Sequence, residues 1–445
     1  MEFQKTKVQA SDIPTIINSK LQTVMAESLS CLEEHRFGQN WIKPAYGSFC
    51  FAGLPGFIQE TLTGSTYKVS LPQSVSASIA QGVDRIVFVF LDAFGWEAYE
   101  RFAEGSDLMK TFSEDGLLCK TTSQFPSTTA AHVTTLNSGL PVYETGVCEW
   151  HYYEPNVDAV INPFQLRTVD TENKHSLLKA GHDISKLLPN RSLSSDLKKS
   201  GVSSFIYGPK EYFPSPYNYH MNPTAEMLAY DSTENAISTL VKSELKIGQK
   251  EYHYLYIGAY DSARHTFGPY SNEADNQALE ALALLNRLRE ISSDGRTLVV
   301  LTADHGQVAT PQETEVILNK EVPEILGYLR QAPDGSLIRF GGGPRDLFLY
   351  TKKGVEAEVK SLLSGKLSGV AEIYTQDEAA ALGILGPTPV SSRFKDRMGN
   401  VLILPHLGHS VNWDEPGFYN RDVLLGHHGG LTAQEMETPL CMLRL

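Results

Sequence analysis

The stretch Arg85-Ile86-Val87-Phe88-Val89-Phe90-Leu91-Asp92 decides the fold. An almost unbroken run of β-branched and aromatic side chains stops at a single acid. Such a run suits a strand buried on both faces, as in a parallel sheet covered by helices; a strand with one wet face would alternate apolar and polar residues. Two further runs share the design. Tyr252 to Gly258 leads to Asp261, and Thr297 to Thr302 leads to Asp304-His305-Gly306. Open parallel sheets collect their ligands at the carboxyl ends of the strands, where loops and helix starts converge. The segments between the runs read as helices. Glu273 to Leu288 is rich in helix formers, and Thr129 to Leu136 opens a helix just past Pro126 and Ser127. The expected architecture is α/β, with a largely parallel central sheet between helical layers.

Beyond these elements the composition changes. Residues 150–230 are rich in Tyr, Asn, Pro and Ser and are expected to form a cap insertion; residues 310–400 are expected to form a second, smaller one. The 445 residues, 41% hydrophobic and 20% charged, are those of a globular protein, and length alone would allow about two to three domains. No run approaches the roughly 20 apolar residues of a membrane span, and the opening segment lacks an apolar signal-like core. The five cysteines show no CxxC pairing, which fits a reducing compartment. A cytoplasmic location is expected. The net charge of −14 disfavours nucleic-acid polymers and anionic membranes as partners. It leaves a small phosphate ester open, because bound cations reverse the local field.

Ser123-Gln124-Phe125-Pro126-Ser127-Thr128-Thr129-Ala130-Ala131-His132 sets hydroxyl residues at a helix start. Free N–H groups there stabilise an alkoxide or a phosphate. Alone this is weak evidence, since Ser and Thr before helices are usually N-caps. Four other fragments strengthen it: Asp92, the Asp261–His265 pair, Asp304-His305-Gly306 and His427-His428-Gly429-Gly430. Asp-x-x-x-His brings both side chains to one side of a helical turn. Each fragment taken singly is more often a cap or a structural histidine. Their joint placement after strands points to metal.

The order of fragments resembles the alkaline phosphatase superfamily, and within it the type I phosphodiesterase/nucleotide pyrophosphatase family. VFLDAFGW, QFPSTTAAHVTTLNSG, YDSARH, TADHG and GHHGGL carry the likeness, from about residue 84 to 440. It implies one alkaline-phosphatase-like catalytic domain over 1–445, a three-layer α/β/α sandwich with cap insertions. It implies Thr129 as nucleophile, with Thr128 the fallback. One metal ion would sit on Asp261, His265 and His428, the other on Asp92, Asp304 and His305; the His-Gly pairing favours His428 over His427. It also implies a phosphoryl contact soon after Thr129, for which His132 is the residue present. The mixed carboxylate and imidazole set suits two divalent ions, zinc first and manganese or iron next.

Two divalent ions and three carboxylates leave about +1 at such a site, which suits a phosphodiester or pyrophosphate better than a dianionic monoester. Hydrolysis of a diester or pyrophosphate through a phospho-threonine is therefore expected. The alternatives are a phosphomonoesterase or phosphonate hydrolase on the same scaffold, and a non-catalytic metal- or ligand-binding protein. Gly341-Gly342-Gly343-Pro344-Arg345-Asp346 lacks the spacing of a P-loop and reads as a turn before a strand at Leu347. His406 and His409 read as structural, or as supports behind the ligands, and not as ligands themselves. Trp150, Tyr152 and Tyr153 either stack on a leaving group or pack beneath the insertion.

Overall fold

The computed structural model of the chain describes residues 13–445 except 293, 417 and 420–422, with side chains from residue 22 onward. Its centre is a seven-stranded sheet of β1 (Arg85–Leu91), β2 (Leu117–Thr122), β3 (Val202–Pro209), β4 (Glu226–Tyr230), β5 (Lys250–Ile257), β6 (Thr297–Thr302) and β7 (Glu437–Arg444), in the order β2-β7-β6-β1-β5-β3-β4. Neighbours from β6 to β4 are parallel, and β7 runs against both β6 and β2. The unbroken apolar run of β1 is explained by its place near the middle. Val87, Val89 and Leu91 enter the core on one face, and Ile86, Phe88 and Phe90 the core on the other. Each such side chain contributes about 1.5–3 kcal/mol on burial, and Phe88→Ala is expected to cost about 3–5 kcal/mol.

Register sets the site. Leu91 lies opposite Ile257 and Phe90 opposite Thr302, so the three strands stop nearly level. Asp92, Asp304 and Asp261 follow within a few residues and reach one edge of the sheet. Helices α1 (Thr129–Ser138), α2 (Ala259–Phe267) and α3 (Asn272–Leu285) complete the frame. Thr128 caps α1, its side chain accepting from the Ala131 N–H, and Gly139 ends the helix in a left-handed conformation at φ 73°. The helix expected through Leu288 leaves α geometry after Leu285 and continues as a 3₁₀ turn, Asn286–Glu290.

The expected boundaries of the insertions need correction. Strands β3 and β4 fall inside the 150–230 segment yet extend the central sheet. What lies off the sheet before them includes the small antiparallel meander Tyr152–Glu154, Ala159–Asn162 and Arg167–Thr168. The strands escaped notice because β3 interleaves serines with apolar residues, and β4 is an edge strand with no fully buried side chain. The second insertion is larger than expected. Leu347–Leu349, Ala371–Thr375 and Val401–Pro405 form their own antiparallel sheet, with a separate core that reaches Trp413. Among the described residues no helix is long and apolar enough to cross a membrane.

Candidate active site

Thr128 and Thr129 part company at the start of α1. The Thr128 hydroxyl donates to the Cys148 carbonyl oxygen at 2.7 Å and is spent there. The Thr129 Oγ lies 3.2 Å from His305 Nε2 and 3.5 Å from each carboxylate oxygen of Asp92. Ser127 ties this loop to the carboxyl-terminal one: its hydroxyl donates to the Gly430 carbonyl at 2.8 Å and accepts from the Gly429 N–H at 3.1 Å.

Around Thr129 the fragments converge. Ligand atoms of Asp92, Asp304 and His305 all lie within 4.8 Å of one another, as do those of Asp261, His305 and His428. His265 stands beside the second group, its Nε2 3.4 Å from Asp261 Oδ1, and its ring centroid is 5.0 Å from that of His428. The histidine expected in one trio thus adjoins both, since the His305 and His428 rings stack at 3.6 Å. Close backbone approach makes this possible. A Cβ on Gly95 would meet the Gly306 Cα at 2.6 Å, so the Asp92 and Asp304 loops fit back to back only as glycines.

These residues fit metal ions by their donor chemistry. His265, His305 and His428 each turn Nδ1 to a backbone carbonyl, of Gly426 (2.7 Å), Gly306 (2.9 Å) and Ser127 (3.0 Å) respectively. Those bonds fix the tautomer and leave every Nε2 as a lone pair facing the cluster. Asp304 Oδ2 is buried without a hydrogen-bond partner, although His305 Nε2 is only 3.0 Å away. Burial, then the charges of Asp304 and Asp261, push the Asp92 carboxyl well above the usual carboxylate range. Burial is the largest influence on His305 and acts to lower it, but Asp304, Asp261 and the Gly306 carbonyl together raise the imidazole. Burial, then neighbouring His305 and His265, hold His428 well below its ordinary value. The cluster lacks positive charge, and divalent cations would supply it.

His132 does not sit where a phosphoryl contact would require. It is fully buried, with Nδ1 2.7 Å from the Thr128 carbonyl and Nε2 accepting the Gln124 N–H at 2.9 Å. Both ring nitrogens are engaged in holding the loop that leads into α1. Tyr152 and Tyr153 are buried as well; Trp150 alone of that trio reaches solvent, 36% exposed and packed edge-on against Phe164. The Gly341–Asp346 segment is the expected turn. Its Arg345 forms a fully buried ion pair with Glu435 and holds the His406 carbonyl at 2.7 Å, so His406 serves as structure.

Sequence reading missed three supporting side chains. Tyr256, on β5, donates to Asp92 Oδ2 at 2.6 Å. Gln307 Nε2 donates to Asp261 Oδ1 at 3.3 Å. Arg264, between Asp261 and His265, is buried against two ligand loops. Tyr256 looks like any strand aromatic. Gln307, a polar residue directly after Asp304-His305-Gly306, carried a usable signal.

The family model of the type I phosphodiesterase / nucleotide pyrophosphatase matches residues 86–430. The chain belongs to that family. It is accordingly a hydrolase of the phosphodiesterase and pyrophosphatase type, and Asp92, Thr129, Asp261, His265, Asp304, His305 and His428 all lie within the match. Solved structures share the alkaline-phosphatase-like fold. Murine ectonucleotide pyrophosphatase/phosphodiesterase 5 superposes with a TM-score of 0.57 at 17% identity, over 80% of this chain and 87% of that one. An inactive threonine-to-alanine form of it has been seen in complex with AMP. Phosphonoacetate hydrolase from Sinorhizobium meliloti 1021, in complex with phosphonoacetate, gives 0.58 at 17% identity, over 82% of this chain and 90% of that one. No curated protein is significantly similar to the chain.

Proposed function

We propose that the protein hydrolyses a small phosphodiester or pyrophosphate through a covalent phospho-threonine on Thr129, with two divalent ions, zinc foremost, held by Asp92, Asp304 and His305 and by Asp261, His265 and His428. The observation that carries this reading is the Thr129 hydroxyl, 3.2 Å from His305 Nε2, at the first turn of a helix and facing Asp92. Divalent ions held there supply Lewis acidity and offset charge on the reacting oxygens.

The chain's own residues set the geometry. Thr129 Oγ attacks phosphorus, and the bond to the leaving oxygen breaks as the P–Oγ bond forms. Its proton has an acceptor in the Asp92 carboxylate, 3.5 Å away. Water then attacks the phospho-threonine, breaks the P–Oγ bond and restores the hydroxyl. The N–H groups at the start of α1 favour the negative phosphoryl group. Arg264 gives both Nη groups to backbone carbonyls, so it adds no phosphate clamp for a dianionic monoester. Tyr212, 47% exposed and 6.2 Å from the Tyr256 ring, offers a leaving group an aromatic face. Binding of AMP by one fold relative, and of phosphonoacetate by another, supports a small phosphate or phosphonate substrate.

The test is hydrolysis of bis-p-nitrophenyl phosphate, p-nitrophenyl phosphate and phosphonoacetate by zinc-loaded protein. The diester is expected to show the highest kcat/KM. Preference for the monoester or for phosphonoacetate would move the assignment to a phosphomonoesterase or a phosphonate hydrolase. Absence of turnover on all three would leave a binding protein.

A further inference from the structure

Arg264 lies between the two ligand residues of the Asp261–His265 pair and is 3% exposed. A buried guanidinium ordinarily takes a carboxylate, because an unpaired charge is costly away from water. This one does otherwise. Its Nη1 donates to the Ala93 carbonyl at 2.8 Å and its Nη2 to the Gln307 carbonyl at 2.7 Å, while Nε is buried without a partner. The Tyr260 ring lies 5.1 Å from its Cζ and stabilises the charge from one side.

Both carbonyls belong to ligand loops. Ala93 follows Asp92 directly, and Gln307 stands two residues after His305. Ala93 has a φ of 60°, in the left-handed region that favours glycine, and is fully buried. In that conformation its N–H donates to Asp304 Oδ1 at 3.3 Å, while its carbonyl turns to Arg264. Gln307 in turn donates its side-chain amide to Asp261 Oδ1 at 3.3 Å. The bonds make one chain of contacts: Asp304, Ala93, Arg264, Gln307, Asp261. It begins on a ligand of one ion and ends on a ligand of the other.

We propose that Arg264 is a positioning residue that couples the two metal poles. By anchoring the carbonyl of the Ala93–Phe94 peptide it holds residue Ala93 in its left-handed conformation and so aims both Asp92 and Asp304; through Gln307 it sets Asp261. The proposal rests on the two-ion reading above. Without the guanidinium the Ala93–Phe94 peptide loses its anchor and Ala93 is free to leave its left-handed φ, which turns the adjoining Asp92–Ala93 peptide, withdraws its N–H from Asp304 and displaces Asp92. Loss of Arg264 therefore weakens both ions, including the one to which its own helix contributes no ligand.

The experiment is zinc titration of metal-free protein by chelator competition, with ion counting, for wild type, Arg264→Met, Arg264→Lys and the double variant Arg264→Met/Ala93→Gly. Thermal unfolding of each metal-free form is recorded beside it. Removing a residue that orients ligands costs about 10–100-fold in metal affinity. We expect Arg264→Met to raise both dissociation constants by that factor, and Arg264→Lys, which reaches one carbonyl, by less. Glycine is at ease at this φ, so Ala93→Gly is expected to recover part of the affinity for the Asp92/Asp304 ion. If Arg264→Met fails to fold, Arg264→Lys carries the same comparison. Two ions bound as tightly as in wild type, or weakening of the Asp261 ion alone, would overturn the coupling. So would a lower metal-free melting temperature with unchanged zinc affinity. Failure of the wild type to bind two ions would instead overturn the two-ion reading, so the two failures are told apart.

Discussion

The two ligand clusters differ in how they are walled in. Side chains of Asp92, Asp304 and His305 are 1%, 0% and 0% exposed, whereas those of Asp261, His265 and His428 are 15%, 21% and 7% exposed. The closed cluster grows directly from the ends of β1 and β6, in the most deeply packed part of the sheet. The open one is assembled from the first turn and the end of α2 and from a loop that returns after the large second insertion. A dry cluster strengthens every electrostatic contact in it and suits the activation of Thr129. A wetter one suits departure of a leaving group and entry of water. The comparison predicts that damage to the closed side is felt in chemistry and stability together, while damage to the open side is milder.

Variants can break or sharpen that contrast. The largest effect is expected from Thr129→Ala, which should lower kcat by about 10³-fold or more, since the step proposed for it has no substitute. Its ion content should match wild type, checked by ion counting; loss of an ion would make Thr129 a structural part of the closed cluster instead. Asp304→Asn comes next. It should strip the closed-side ion and lower the melting temperature of the loaded protein, whereas His265→Ala should weaken only the open-side ion, by about 10–100-fold. Equal losses in the two variants would erase the distinction between the clusters.

Tyr256→Phe is a finer probe. It removes the donor at 2.6 Å from Asp92 Oδ2 and should weaken the closed-side ion by roughly 10-fold while leaving the open-side ion unchanged, by zinc titration. The smallest expected effect concerns pH. Burial pushes the Glu149 carboxyl up to about 7 from its ordinary 4.5, so between those values the folded chain holds a proton that the unfolded chain has lost. Stability contributed by this group is therefore present below that window and declines as pH rises through it. Glu149→Gln should flatten that decline in the melting temperature of the metal-free protein. An unchanged slope would mean that another group sets it.

The same contrast governs what the sequence made legible. Strand β1 and its Asp92 are readable because burial on both faces leaves a compositional trace, and β6 ends where its apolar run ends, at Thr302. Strand β4 lies at the sheet edge, where burial is partial and polar residues are tolerated, and β3 beside it interleaves serines with its apolar residues, so neither leaves the compositional trace of β1. Within the site, Asp and His stand out by residue type after apolar runs. Arg264 and Tyr256 act through contacts among segments far apart in sequence, which no local spacing encodes; Gln307 alone is marked, by its place directly after Asp304-His305-Gly306. His132 illustrates the converse. It follows Thr129 by one helical turn and so looks like a site residue, yet packing turns its ring under the loop. Ala93 shows the limit most plainly: nothing in an alanine announces a φ of 60°.

The central claim is that Thr129 carries the phosphoryl group during turnover. The direct measurement is acid quenching of the zinc-loaded enzyme in the presence of bis-p-nitrophenyl phosphate, followed by peptide mass spectrometry. The account predicts one ester-linked phosphoryl group on Thr129, absent from Thr129→Ala and from protein quenched without substrate. Turnover at the wild-type rate by Thr129→Ala, or a phosphoryl group found on Thr128 in place of Thr129, would contradict it.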